Sequence, residues 1–313
     1  RIGLAAHCSV HGSHLDFRVV ARSTGRQSER KEQRFLKDLR RSKIAELFIG
    51  VMIFAAITAS LFPILWSVIG SFKSPMDIIS IKPKFVFRPT LENFVDIFSS
   101  NRPLLRYLYN SVIISVTSTV LAVFFASLAG YSLARIRPRG YNFISLSMVA
   151  TRVLPPVVII VPIFLFYSNT GLLDTQIGLI LPYLALNIPL ATWMMRSFFI
   201  DLPEELEEAA SIDGCGRLAT FFIIILPLTA PGIAATSLFC FILAWNDLVL
   251  ALPLTSSNAA PLPVVASMAR AEEGLQWGRI GAIICIMVVP VFVFTLAVMK
   301  FMIAGLAMGS VKE

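Results

Sequence analysis

Charged residues are scarce in this sequence, and their scarcity excludes an ordinary soluble domain. Lys, Arg, Asp and Glu make up 15% of the 313 residues, whereas hydrophobic residues make up 56%. A soluble domain is typically about 25% charged. The mean hydropathy is +0.77, and the apolar residues fall in blocks long enough to cross a hydrocarbon core about 30 Å thick. We therefore predict an integral membrane protein with one compact membrane domain.

Further absences argue against catalysis by this chain. No Gly-Lys pair occurs, so the sequence lacks the glycine-rich phosphate-binding loop that a self-contained ATPase requires. Histidine is absent after His14, and carboxylates are nearly absent from the apolar blocks. An intramembrane enzyme needs a nucleophile and a base, or a metal cluster, at membrane depth. We expect no catalytic residue and no cofactor in this chain.

Cysteine is also rare. The four cysteines lie in the first tail, one loop and two apolar blocks: Cys8, Cys215, Cys240 and Cys285. They form no CxxC pair, so we expect no disulfide. Cys8 lies among His7, His11 and His14, which could ligate a metal. Because this cluster lies in a polar segment without periodicity, we expect no metal site.

The net charge of +8 could suggest a nucleic-acid partner. Eleven of the 27 Lys and Arg residues precede Ile44, however, in a segment typical of the cytoplasmic flank of a first span, so we expect no nucleic acid.

Six apolar blocks organise the chain. We predict a basic, disordered cytoplasmic tail at residues 1–43, a six-helix transmembrane domain at 44–304 and a cytoplasmic tail at 305–313. The blocks span about residues 44–70, 108–134, 143–167, 177–199, 221–250 and 280–303.

The distribution of basic residues orients these blocks. Placing the first tail inside assigns eighteen Lys and Arg residues to the cytoplasmic side and eight to the outside, with Arg152 left within the third block. Short cytoplasmic loops collect such residues, so both termini are predicted to be cytoplasmic in a multi-pass protein. The connection from Ser71 to Tyr107, which we call the outer segment, is predicted to lie outside and can form a short amphipathic helix after Thr90. Proline recurs in the later blocks, which suits a transport pathway but is common in membrane helices.

A loop at about residues 200–218 joins the fourth and fifth blocks. Asp201 is predicted to cap its helix, with Glu204 as the capping-box partner. The helix is predicted to form a rod about 18 Å long from residue 202 to 213 and to end at Gly214 in the left-handed conformation. An apolar stripe recurs at helical spacing: Leu202, Leu206, Ala209 and Ala210. From the residues alone, a capped surface linker is an equally good interpretation.

The order of residues in this loop resembles the EAA loop of bacterial ABC importer permeases. Glu208, Ala209 and Ala210 are followed by Gly214 four positions later and by Ile-Leu-Pro at 225–227. Two other stretches resemble this family in general: GYSLARIRPRG at 130–140 and TRVLPPVVIIVP at 151–162. FCFILAWNDLVLAL at 239–252 resembles the fifth-span exit of its carbohydrate permeases, and GLAMGSVKE at 305–313 resembles the tail of the maltose-type second permease. The first forty residues carry no motif of the family.

The resemblance implies an all-α membrane protein of the type I ABC importer permease fold, with six transmembrane helices in the bacterial inner membrane. It implies a second permease as heterodimer partner, two subunits that bind ATP and Mg, and an extracytoplasmic solute-binding protein. The loop would be a cytoplasmic coupling helix held in a cleft of the ATPase through Glu207, Glu208, Ala209, Ala210, Asp213, Gly214, Leu226 and Pro227. The terminal tail would contact the ATPase through Gly305, Gly309 and Lys312.

The substrate is expected to be a sugar, polyol or glycoside. Sugars are bound by aromatic faces and by amide hydrogen bonds, so the candidates are Asn187, Trp193, Trp245 and Asn246. Each could equally be an interfacial anchor or an interhelical bond. The alternative function is an ion-coupled secondary carrier, which would use a buried charge such as Arg152, although that residue could equally snorkel to the interface. A structural scaffold is a third possibility.

Overall fold

The computed structural model describes residues 46–80, 84, 86–99, 104–151, 155–268 and 276–309, without the side chains of residues 79, 149 and 303–309. The predicted N-terminal tail, Arg152 and Lys312 lie outside the described residues. All regular elements in the described part of the chain are helices. The chain divides into two units, Arg1–Leu65 and Trp66–Glu313, which are taken separately.

The described part of the first unit is a single helical segment. It belongs to α1, Glu46–Ser71, which is 26 residues long. Every side chain from 46 to 65 is exposed, including Leu47 at 70% and Phe54 at 71%. Because a helix that is apolar on all sides is stable only in an apolar medium or against an apolar partner, α1 has the character of a membrane span.

The second unit contains the other long apolar helices: α4 at Leu104–Tyr131, α7 at Gln176–Ile200 and α14 at Trp277–Gly309. A π-helix at Ser132–Ile136 extends α4. Within the described ranges, four helices are long and apolar enough to span a membrane, and a fifth span arises if two bent segments are counted together. These helices confirm the predicted all-α membrane class. The predicted outer helix after Thr90 is also present, as α3 at Glu92–Ser99, which follows α2 at Pro75–Ile79.

The third and fifth predicted spans are not continuous helices. The third block is divided into α5 at Tyr141–Ala150 and α6 at Val157–Thr170, and neither half alone is long enough to span. The fifth block consists of Arg217–Leu228 and Ala230–Asn246 (the latter α11), which meet at an angle of 76°. Its first arm contains α9 at Arg217–Ala219, a π-helix at Thr220–Ile225 and α10 at Leu226–Leu228.

The bend of the fifth block has a local cause. Pro227 and Pro231 flank the break, and each lacks the backbone N–H that a continuous helix requires. The hydroxyl of Thr229 donates to the carbonyl oxygens of Ile225 and Leu226 at 3.2 and 2.9 Å. Since unpaired carbonyls are costly in lipid, this side chain stabilises the broken geometry.

Small residues allow α4 and α7 to pack closely. Ala122, Ala126 and Ala191 are fully buried. A Cβ added at Gly130 would lie 3.0 Å from the backbone nitrogen of Arg196, so only glycine fits there without a shift. Close backbone approach through small residues is how membrane helices associate, because lipid provides no hydrophobic driving force between them.

Two apolar clusters lie at opposite ends of α4 and α7. The larger contains Leu104 and Leu179, at the starts of these helices, together with α12 at Ala251–Leu254 and α13 at Leu262–Met268; we call this the α12 end. The smaller contains Ala134 and Met195 near their other ends and packs beneath α8 at Glu205–Ile212; we call this the α8 end. The two helices therefore run in the same direction between the two ends.

Candidate functional site

The loop that carries the EAA-like motif forms the short helix α8. It begins at Glu205, and the preceding Glu204 makes no side-chain capping bond. The prediction that Asp201 is the N-cap is wrong: Asp201 closes α7, donating its N–H to the carbonyl of Ser197 at 3.2 Å. Since α7 persists to residue 200 and residues 201–204 turn the chain, α8 has only eight residues and forms a rod of about 12 Å rather than the predicted 18 Å.

The end of α8 is as predicted. Gly214 has a φ of +83°, a left-handed conformation that glycine adopts without strain. The N–H of Cys215 donates to the carbonyl of Ala210 at 2.9 Å, and that of Gly214 donates to Ser211 at 3.1 Å. This is the Schellman pattern, which satisfies the last carbonyls of the helix and turns the chain sharply toward α9.

One face of α8 is fastened to the membrane domain by a charged network. Arg135, whose side chain is only 9% exposed, donates from Nε to Oε1 of Glu207 at 2.6 Å and from Nη2 to the carbonyl of Leu202 at 2.7 Å. The hydroxyl of Tyr131 donates to Oε2 of Glu207 at 2.8 Å. Glu204 adds a longer, exposed ion pair with Arg135 at 3.6 Å. Both oxygens of Glu207 are therefore bound within this chain.

An aromatic cluster supports the network from below. The ring of Tyr131 lies 5.7 Å from that of Phe199 at a steep angle and 4.9 Å from that of Phe221. Phe199 and Phe221 are buried, and Ala210 of α8 is 3% exposed. These contacts orient the phenol toward Glu207, and they connect α4, α7, α8 and the start of the fifth block at one point.

The opposite face of α8 is open. Glu205, Glu208 and Ala209 are exposed, and Ile212 is 86% exposed. We call these four residues the outer face of α8. The predicted apolar stripe is therefore divided: Ala210 is buried and Leu202 partly buried, whereas Ala209 points outward and Leu206 lies between at 36% exposure. Ile212 was missed by the sequence argument, although a large apolar residue just before the helix terminus is a readable signal.

The remaining residues proposed for coupling lie elsewhere. Asp213 is exposed at the C-cap of α8. Leu226 packs on the small cluster, and Pro227 is exposed at the bend of the fifth block, so neither belongs to the outer face of α8. The helix α14 continues through Gly305 and Gly309, where the sequence predicted a tail to begin.

The four candidate substrate residues are not brought together. Asn187 is buried and donates to the carbonyl of Cys240 at 3.4 Å, which is an interhelical bond. Trp245 is 1% exposed and its indole N–H has no hydrogen-bond partner in the described residues; Trp193 is 52% exposed. Asn246 is exposed and donates to Ile242 within its own helix at 3.0 Å. None of these four side chains lines any of four cavities of about 260–340 Å³ in the described part of the chain.

At the α12 end, a carboxylate that the sequence argument missed holds two loops together. Asp174 has a φ of 56° and accepts hydrogen bonds from the backbone N–H groups of four consecutive residues, 256 to 259, at 2.9–3.2 Å. It also accepts from the hydroxyl of Ser256 at 2.8 Å. Burial acts to raise the pKa of Asp174, but the amide hydrogen bonds outweigh it and hold the pKa well below its ordinary value. No group of three or more potential metal ligands occurs in the described part of the chain.

Comparison with solved structures identifies the class of this helical bundle. The fold matches a bacterial ABC transporter involved in the import of the acidic polysaccharide alginate, with a TM-score of 0.68 over 83% of this chain and 97% of that chain, at 22% identity. The fold is therefore that of an ABC importer permease. The sequence is more specific: residues 122–307 match the family described as the binding-protein-dependent transport system inner membrane component, and the chain belongs to that family.

Individual relatives match over most of their length. The chain is 37% identical over 252 residues to the probable ABC transporter permease protein y4oR of Sinorhizobium fredii, covering 80% of this chain and 90% of the relative. It is 34% identical over 271 residues to the trehalose/maltose transport system permease protein MalG of Thermococcus litoralis, covering 85% and 96%. The chain is thus a non-catalytic inner-membrane permease subunit, and an ion-coupled carrier is not supported.

Proposed function

We propose that this chain forms, with a second permease, the translocation pathway for a sugar or a related polyol or glycoside that a solute-binding protein delivers. The observation that carries the proposal is the match over 85% of the chain to a trehalose/maltose permease. The alginate importer, which shares the fold, takes up an acidic polysaccharide, so the fold is not restricted to small neutral sugars. The candidates for the pathway are not brought together in this chain. They can line it only if contact with the second permease changes their positions: Asn187, Trp193, Trp245 and Asn246.

We infer that α8 is the coupling helix that docks on a partner ATPase. Glu208 and Ala209 of the motif lie on the outer face of α8, together with the exposed Ile212. An acidic and apolar face that its own chain leaves open suits a cleft with basic and apolar walls. Glu207 has a different task in this proposal: it fixes α8 to α4 through Arg135. Gly214 sets the direction of the rod relative to the fifth block.

The complete assembly in this proposal contains two permeases, two ATP-binding subunits and an external binding protein. ATP and Mg bind to the ATPase subunits, and Gly305, Gly309 and Lys312 approach them from the terminal segment. Residues 1–43, 200–218 and 305–313 face the cytoplasm. Cysteine labelling at Ser99 and Ala219 checks this orientation, because the two positions should react from opposite sides; labelling of both from outside would contradict it.

Reconstitution tests the function directly. The chain is co-expressed with the other subunits from its own source and placed in proteoliposomes, with a panel of sugars, polyols and glycosides and the binding protein. We expect uptake only when ATP, the binding protein and both permeases are present. Uptake by this chain alone, or uptake that follows an ion gradient without ATP, would overturn the proposal.

A further inference from the structure

A groove of about 340 Å³ lies in the second unit, between the end of α1 and the start of α14. Its walls include Trp66, Lys73, Asp77 and Trp277, and Ile280 and Ile284 form an apolar floor. Since α1 ends at Ser71 and α14 begins at Trp277, the groove lies at the ends of two helices that are long and apolar enough to span a membrane. Trp66 and Trp277 are 43% and 54% exposed, and tryptophan is enriched where membrane helices meet the aqueous interface.

Lys73 gives the groove a buried positive charge. The residue is 6% exposed, and its Nζ lies 5.3 Å from the ring centroid of Trp66 and 5.1 Å from that of Phe87. Its backbone is fixed, because its carbonyl accepts from Nδ2 of Asn93 at 2.8 Å and its N–H donates to Gly70 at 3.1 Å. Aromatic faces attract an ammonium group but leave its N–H donors without strong acceptors.

The nearby carboxylate, Asp77, is paired mainly with a different cation, and the charge of Lys73 acts on it least. Oδ1 of Asp77 accepts from Nζ of Lys84 at 2.6 Å, and Oδ2 accepts from the hydroxyl of Ser74 at 3.1 Å. The hydrogen bond from Lys84 lowers the pKa of Asp77, so this carboxylate is ionised and paired. Among the described residues Lys73 forms no ion pair with a carboxylate. The groove therefore has an excess positive charge.

We propose that this groove binds an anionic phospholipid, with its phosphate against Lys73 and an acyl chain along Ile280 and Ile284. An anion satisfies the ammonium donors, and the two isoleucines lie one helical turn apart in the direction of the membrane interior. A neutral sugar would satisfy neither feature, because it brings no charge to Lys73 and no apolar chain to the floor. The inference goes beyond the proposed transport function and does not depend on it.

Native mass spectrometry of the full chain, alone and in its assembled complex, measures the lipid that is retained after exchange between phosphatidylglycerol and phosphatidylcholine. We expect preferential retention of phosphatidylglycerol and a loss of about tenfold in Lys73→Gln, the effect of one charge-assisted contact. Lys73→Arg should retain the lipid. Arg88→Gln is the matched control, since Arg88 is an exposed cation of the same outer segment that does not line the groove.

A second variant tests the groove without touching its charge. A Cβ added at Gly70 meets no atom within 4 Å, so Gly70→Leu should fold normally while filling the groove. It should also lose phosphatidylglycerol. Equal retention in Lys73→Gln and Arg88→Gln would overturn the proposal, as would displacement of the lipid by an excess of inorganic phosphate. Loss of the lipid on assembly with the second permease would show that a protein surface covers the groove, and would equally overturn it.

Discussion

Two carboxylates at opposite ends of the bundle, Asp174 and Glu207, are bound in different ways. At the α12 end, Asp174 accepts from consecutive backbone amides of a neighbouring loop. At the α8 end, Glu207 accepts from two side chains, those of Arg135 and Tyr131. Backbone amides cannot rotate away from their acceptor, whereas side chains can exchange partners. The first arrangement fixes a loop, and the second can be released.

The apolar packing is also more extensive at the α12 end than at the α8 end. The cluster at the α12 end contains eighteen buried residues and joins eight helices of the second unit, from α3 to α14, whereas the cluster at the α8 end contains five buried residues. The span nearest α8 also contains a π-helix and a 76° bend. We propose on this basis that the α12 end stays fixed, and we call it the frame; we propose that the α8 end moves with α8, and we call it the joint. A permease needs such a movable region if a movement of its partner ATPase is to reach the membrane spans.

The largest expected effect comes from changing the outer face of α8 and its terminating glycine together. In the double variant Glu208→Lys, Gly214→Val, the lysine reverses the charge at the proposed contact with the ATPase, which costs several kcal/mol where that contact is buried. The β-branched valine at a positive φ costs about 1 kcal/mol more. Uptake and binding-protein-stimulated ATP hydrolysis should both fall by about a hundredfold or more. Membrane abundance should stay normal, because neither residue lies in a long apolar helix.

The control for this variant is Asp201→Lys, Gly216→Val. Asp201 is an exposed acid just before α8, and Gly216 has an extended conformation that valine adopts without strain. Near-normal uptake is expected of the control. If the Glu208→Lys, Gly214→Val protein also transports normally, α8 is a linker and the difference between the two ends has no functional meaning.

Removing the cation of the joint should have the next largest effect. Arg135→Met leaves Glu207 partly buried without its main partner, at a cost of about 2–3 kcal/mol after allowance for its 22% exposure. Uptake should fall roughly thirtyfold, and ATPase co-purification should weaken less. Arg139→Met is the control, because Arg139 is an exposed arginine in the turn that follows the same π-helix. Unchanged uptake in Arg135→Met would show that the hydrogen bonds between Arg135 and Glu207 have no role in coupling.

A substitution in the frame should lower the stability of the protein and leave the coupling of ATP hydrolysis to uptake unchanged. Asp174→Asn keeps the side-chain shape and tolerates the positive φ, but it loses charge-assisted bonds, which should lower the free energy of unfolding by about 2 kcal/mol. Uptake per folded molecule should be unchanged. Thermal unfolding in detergent measures the effect, with Asp201→Asn as control. Because the folded pKa of Asp174 is depressed, its contribution is present above about pH 4 and is lost only as the pH falls below that value.

The smallest effect is expected for Tyr131→Phe. The change removes one hydrogen bond to Glu207 and keeps the ring that packs on Phe199 and Phe221. The loss should be about 1 kcal/mol, visible as a fewfold decrease in uptake. Tyr141→Phe provides a control at a neighbouring helix start. A larger loss in Tyr131→Phe than in Arg135→Met would reverse the assignment of Arg135 as the main fastening.

The sequence was informative where a local rule decides the conformation. Gly214 was predicted to be left-handed because glycine at a helix end favours that conformation, and its φ of +83° confirms this. Asp201 was misassigned because a local capping pattern does not reveal that the preceding helix is still present at residue 200. The long apolar blocks correctly predicted the membrane class, but the prolines did not give the 76° bend.

Tertiary partners decide what local patterns leave open. Glu207 and Glu208 are adjacent acids in the sequence, and nothing local tells which one faces the domain. The answer depends on Arg135, which is 72 positions away. The same holds for Asp174, whose amide partners lie more than eighty positions further along the chain. Both fastenings were therefore missed, although the motif that surrounds one of them was recognised.

Photocrosslinking in the assembled complex tests the central claim most directly, which is that the outer face of α8 docks on the ATPase while the α12 end does not. A photoreactive amino acid is placed at Ala209 or Ile212, and at Ser256 as the control at the other end, all three being exposed in this chain. The account predicts a crosslink to the ATPase subunit from Ala209 and Ile212, changed by ATP, and none from Ser256. Crosslinks to the ATPase from Ser256, or none from either position of α8 in a complex that transports, would contradict it.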